Sequence, residues 1–197
     1  MQPPPTKRGV QKLTGRLASL NRFISRSAEK SLPFFKVLKG SENFHWGPEQ
    51  DKAFEELRQY LENLAVMTSP SPEAELLLYI VTSSYAVRTA LVEVRMVEET
   101  LKQLPIYFVS EALSGSKLLY SEMEKMAYAV VMAARLRHYF QSFKIKVPTS
   151  FPLQDMFENR EASGRIGKWA TQLASHTIDF VPLSTIKSQV LADFVAD

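Results

Sequence analysis

Apolar residues recur every three to four positions at Val10, Leu13, Leu17, Leu20 and Ile24. That spacing predicts an amphipathic helix with its bases Lys12, Arg16, Arg22 and Arg26 mostly off the stripe. Ahead of it, residues 1–9 include three consecutive prolines and read as a flexible tail. A second short helix is expected from Leu32 to Lys39, with Pro33 tolerated in the first turn and Gly40 as the stop. Gly47-Pro48-Glu49 opens a third. Its stripe is Phe54, Leu57, Leu61 and Leu64, and Asp51, Glu55 and Glu56 suit the positive end of the helix dipole. Pro70 and Pro72 close the helical region in a Thr-Ser-Pro-Ser-Pro linker.

The pattern then changes period. Leu76–Thr82 and Ala86–Val94 read as strands around a Ser83-Ser84 turn, and Ile106–Ser110 as a third strand headed by Pro105. A long helix is expected from Ser121 to Tyr139, with Met126, Ala129, Val130, Ala133 and Leu136 on one side. Phe143–Thr149 and Thr177–Val181 read as strands, and Leu153–Glu158, Arg165–Ala174 and Gln189–Val195 as short helices. Three strands, a helix, a strand, helical material, a strand and a helix describe an α/β (α+β) layer with a mixed sheet.

Composition narrows the chemistry. Of 197 residues, 45% are hydrophobic and 23% charged, enough for a packed core and too apolar for a disordered chain. No apolar run approaches the roughly 20 residues of a membrane span, and the N-terminus lacks the apolar stretch of a signal peptide. With no cysteine, disulfides, thiolate metal sites and thiol nucleophiles are excluded, and a reducing, intracellular setting (cytoplasm or nucleus) is expected. His45, His138 and His176 are too scattered to suggest zinc. Charge is uneven: residues 1–50 carry nine bases against three acids, whereas the remainder is net −3. A basic arm on a mildly acidic body suits a nucleic-acid partner, or is simply a solvated helix face.

Enzymatic motifs are missing. The seven glycines form no phosphate cradle, and the five aspartates include no adjacent pair. Glu122 and Glu124 stand two apart on a helix and so diverge. Trp46 reads as a core anchor of the third helix rather than a base-stacking platform, and Trp169 as core beside Leu173. Arg135 and Arg137 point to different sides of the long helix.

Several stretches, in order, resemble the reverse transcriptase polyprotein of gypsy-class LTR retrotransposons, particularly plant-type elements. "VQKLTGRLASLNRFISR" is similar to the helix after the polymerase palm, and "LPFFKVLKG" with "FHWGPEQDKAFEELRQYL" to the thumb. "LLLYIVTSSYAVRTALV" resembles the first hairpin of the RNase H-like domain. "PIYFVSEAL", "YSEMEKMAYAVVMAARLRHYF" and "KVPTSFPL" resemble its third strand, first helix and fourth strand. "GRIGKWATQLASHTIDFVP" and "IKSQVLADFVAD" are similar to its closing segment.

The resemblance implies a tail (1–9), a helical thumb-like subdomain (10–68), a linker (69–73) and a degenerate RNase H-like, or connection, domain (74–197) with a five-stranded mixed sheet. An active nuclease of this family gathers carboxylates around two metal ions. Here the first aspartate's position holds Val81, the glutamate's Met126 (or Glu124 with a two-residue shift) and the second aspartate's Ser150. Asp193 alone survives. The resemblance therefore implies a non-catalytic slice of a larger polyprotein that needs no cofactor. Its partners would be the rest of that polyprotein and template–primer or RNA/DNA hybrid, held without sequence preference through Lys12, Arg16, Arg22 and Arg26. The alternatives are residual magnesium-dependent RNase H activity, a protein-interaction module, or an inert relic. No membrane partner is implied.

Overall fold

A computed structural model describes residues 2–39, 44–64, 66–159, 161 and 164–183. Three helices come first: α1 (Lys7–Ser19), α2 (Ser27–Lys39) and α3 (Pro48–Glu62), with a short 3-10 turn at Asn21–Phe23 between α1 and α2. The first helix starts at Lys7 rather than Val10, because the Thr6 hydroxyl accepts the Gly9 N–H and caps it inside the expected tail. It also ends early, and Ile24 reaches the core from beyond the 3-10 turn. The second helix begins five residues before Leu32, so Pro33 lies in its interior and not in its first turn. Val10, Leu13, Leu17, Ile24, Phe34, Phe54 and Leu57 form the shared core of these helices. Trp46 stacks on Phe34 at 5.9 Å, meets the Phe54 edge at 6.2 Å and donates to Asp51 at 2.7 Å, the anchoring role expected of it.

Five strands follow: β1 (Glu75–Thr82), β2 (Ala86–Val97), β3 (Thr100–Ala112), β4 (Lys144–Thr149) and β5 (Ile178–Pro182). Their order across the sheet is β3-β2-β1-β4-β5. The first three are antiparallel neighbours, and β4 runs parallel to both β1 and β5. Strands β2 and β3 are longer than expected. They continue past the start of β1 as a two-stranded ribbon, turning at Glu98-Glu99, both of which have left-handed φ. Pro105 lies inside β3, at a bulge on the sheet edge, where a missing N–H is tolerated.

The expected long helix is two: α4 (Glu122–Ala133) and α5 (Arg137–Ser142), with α6 (Leu153–Glu158) and α7 (Gly164–Leu173) completing the layer. The break at Ala134–Leu136 turns α5 so that Phe140 enters the core. Trp169 and Leu173 pack there too, as expected. The final expected helix, Gln189–Val195, lies outside the described residues, as does Asp193.

Period-two alternation separates the two faces of the sheet. Leu76, Leu78, Ile80, Val87 and Leu91 face the core shared with α4, α6 and α7. Leu77, Tyr79, Val81, Ala90, Val92 and Phe108 face the opposite side, where Met67 packs on them. The segment after α3 is tied to the root of the ribbon. The Thr68 N–H donates to the Pro105 carbonyl at 3.2 Å, Arg95 to the Ser69 carbonyl at 3.0 Å, and the Ser71 N–H to Glu93 at 3.1 Å.

Candidate functional site

Val81 and Met126 do not converge. Val81 is on the face opposite α4, whereas Met126 belongs to the helix-side core. From β1 it is Thr82 that meets the start of α4 with a polar group, its hydroxyl donating to Glu122 at 3.0 Å. Glu124 is committed elsewhere: its carboxylate accepts the Ser121 N–H at 2.9 Å while the Ser121 hydroxyl accepts the Glu124 N–H at 3.2 Å. This reciprocal cap occupies two of the orphan donors at the start of α4. Arg165 lies 3.6 Å from the other Glu124 oxygen. Ser150 is exposed at the end of β4, in a groove of about 600 Å³ where, among the described residues, Asp155 is the one carboxylate.

The surroundings of Val81 are more informative than its own side chain. In the antiparallel register Val81 is paired with Arg88 on β2, and Arg88 with Ser110 on β3. This row is roofed by the start of α2. The Ala28 N–H donates to the Ser110 hydroxyl at 3.3 Å, and Glu29 lies 3.1 Å from Arg88. Arg88 is only 7% exposed. A divalent ion requires oxygen ligands and repels a guanidinium. The residues at Val81, Met126 and Ser150 therefore do not fit magnesium. Among the described residues no three His, Asp or Glu side chains are grouped to hold a metal ion. Sequence reasoning missed Arg88 and Glu29. The signal was a lone charge on the apolar-facing side of "AVRTALV", readable only once the strand pairing is known.

On the helical side, Lys12 and Arg16 are exposed one turn apart on α1 and continue the row begun by Arg8. Arg22 is exposed as well, its guanidinium 4.3 Å from the centre of the Phe23 ring. Arg26 differs: it is half-buried, has φ +56° and pairs with Glu29 at 3.1 Å. Three of the four bases singled out from the sequence thus face solvent, and the fourth is drawn into the structure.

A second polar group sits where β3 meets α4. Glu111 accepts the Tyr128 hydroxyl at 2.6 Å and pairs with Lys117. Burial pushes its pKa up, but the Lys117 and Tyr128 hydrogen bonds outweigh that and hold the carboxyl below its ordinary range. Burial and the Glu111 carboxylate push the Tyr128 phenol the other way, above its usual value, which disfavours a phenolate there.

Strand order 3-2-1-4-5 with helices packed on the sheet defines an RNase H-like fold. Residues 46–147 match the family described as the RNase H-like domain found in reverse transcriptase, and the chain belongs to that family. The Transposon Tf2-3 and Tf2-4 polyproteins of Schizosaccharomyces pombe (strain 972 / ATCC 24843) are each 25% identical to it over 164 residues, 83% of this chain. The chain spans 12% of the length of those polyproteins. In fold it is similar to the foamy viral protease-reverse transcriptase solved in complex with dsDNA, at a TM-score of 0.71 and 18% identity. That match covers 95% of this chain and 40% of the viral one. The same viral protein in complex with an RNA/DNA hybrid gives a TM-score of 0.71 at 17% identity, covering 96% and 27%.

Proposed function

We propose that this chain is the thumb-plus-connection portion of a gypsy-class, plant-type retrotransposon reverse transcriptase. In this reading it acts without catalysis, holding duplex or RNA/DNA hybrid through phosphate contacts and linking polymerase to nuclease. One observation carries the reading: the positions expected of metal-binding carboxylates hold Val81, Met126 and Ser150, and Val81 lies across the sheet from Met126, in register with the buried guanidinium of Arg88. No cofactor is required. The exposed row Arg8, Lys12 and Arg16 with nearby Arg22 supplies the cationic surface, and the nucleic-acid complexes of the structurally similar viral protein support such a partner. Contacts of this kind position a duplex without reading its sequence.

The test is affinity for an RNA/DNA hybrid across a salt series. Each phosphate contact contributes roughly 0.7–0.9 to the slope of log affinity against log salt. Lys12→Ala, Arg16→Ala and Arg22→Ala should each flatten the slope by about that amount, whereas Arg26→Ala should leave it unchanged. Binding that is indifferent to salt, or magnesium-dependent cleavage of the hybrid, would overturn the proposal.

A further inference from the structure

The helices and the sheet each have an apolar core of their own, so their contact could be loose. It is instead ionic and buried. Glu29 lies between two guanidinium groups, with Arg26 Nε 3.1 Å from one carboxylate oxygen and Arg88 Nη2 3.1 Å from the other. The Glu29 and Arg88 side chains are 11% and 9% exposed. Beside them, the Ala28 N–H donates to the Ser110 hydroxyl. A second attachment lies toward the ribbon, where Thr68, Ser69 and Ser71 are bonded to Pro105, Arg95 and Glu93. Two separated anchor points remove the hinge freedom that one would leave.

We propose that Arg26, Glu29 and Arg88 form an ionic joint that locks the helical subdomain onto the Val81 face of the sheet, so that both move as one rigid body. The joint fits only in the docked state, because a buried carboxylate or guanidinium deprived of its partner is strongly disfavoured. It also explains the left-handed backbone at Arg26, a cost that persists only where the surroundings fix it. Freed from Glu29, Arg88 would lose its carboxylate partner on a largely apolar sheet face.

Because the chain has no native cysteine, two introduced ones are its only labelling sites. Spin labels at Ser19→Cys on α1 and Gln141→Cys on α5, both exposed positions, report the distance between the two bodies. The doubly labelled protein should give a single narrow distance distribution. Glu29→Gln, which keeps the size of the side chain, and Arg88→Met should each widen it roughly twofold with helix content unchanged. Glu55→Gln, which breaks an exposed pair with Arg58, should not. Should Arg88→Met fail to fold, Glu29→Gln decides alone. A distribution already broad in the parent, or unchanged in Glu29→Gln, overturns the joint.

Discussion

A single hydrocarbon where the resemblance expects a carboxylate is a weak argument against a metal site, because one substitution could restore it. Arg88 makes the argument stronger. A carboxylate introduced by Val81→Asp would meet the guanidinium already in register with it and pair there, as Glu29 does now. Val81→Asp is therefore expected to gain neither magnesium binding by calorimetry nor hybrid cleavage on a gel. Saturable magnesium binding in that variant would contradict this account of the face. Glu93 shows a carboxylate that contributes differently. Burial raises its pKa, but Arg95 and the Ser71 N–H overcome that and leave it lowered. A lowered folded value means that the stabilisation is complete above the ordinary carboxylate range, about 4.3. It is lost as pH falls through the folded value. Urea midpoints of the parent and Glu93→Gln should differ at pH 7 and draw together as the solution is acidified below pH ~4.

At the scale of elements, backbone chemistry separates what was legible from what was not. Helix α3 and strands β1, β4 and β5 follow their sequence patterns to within a residue or two, because capping residues and apolar periodicity point the same way. The β2–β3 ribbon did not announce itself. Its turn is Glu98-Glu99, both at positive φ, where glycine or asparagine is the usual signal. Strain of this kind costs about 1–2 kcal/mol per residue, so Glu98→Asn with Glu99→Gly should stabilise the protein by about 1 kcal/mol or more. A thermal melt that does not rise would show that the ribbon tip is not strained. The break after α4 was equally hidden, since no proline or glycine marks Ala134–Leu136 and only the burial of Phe140 accounts for it. Glu124 illustrates the same limit for the site: the sequence offers an acid near a helix start, whether cap or ligand. Its reciprocal bonds with Ser121 make it a cap. Ser121→Ala should accordingly cost about 1 kcal/mol, and Glu124→Gln, which keeps the acceptor, much less.

At the scale of the molecule, the sheet has two faces, and among the described residues the helices of its own layer cover one of them. The other face carries Leu77, Tyr79, Ala90, Val92 and Phe108 and is roofed by Met67 and the docked α2. Strands at the middle of a sheet cannot leave such a surface in water without a cost of about 25 cal/mol for each Å² uncovered. Net charge adds nothing to this cover, since residues 74–197 hold thirteen bases and thirteen acids, and the electrostatic part of the contact is the local pairing of Arg88 with Glu29. A protein beginning at residue 74 would lose both roofs and leave Arg88 without Glu29. It is expected to bind a hydrophobic dye and self-associate in sedimentation, while the full chain does neither to the same degree. With thirteen bases and thirteen acids in residues 74–197, no net charge holds the copies apart, so the association should persist across a salt series. A monodisperse, dye-silent sheet domain would mean that the helical half is a passenger, and that the face bearing Val81 needs no cover.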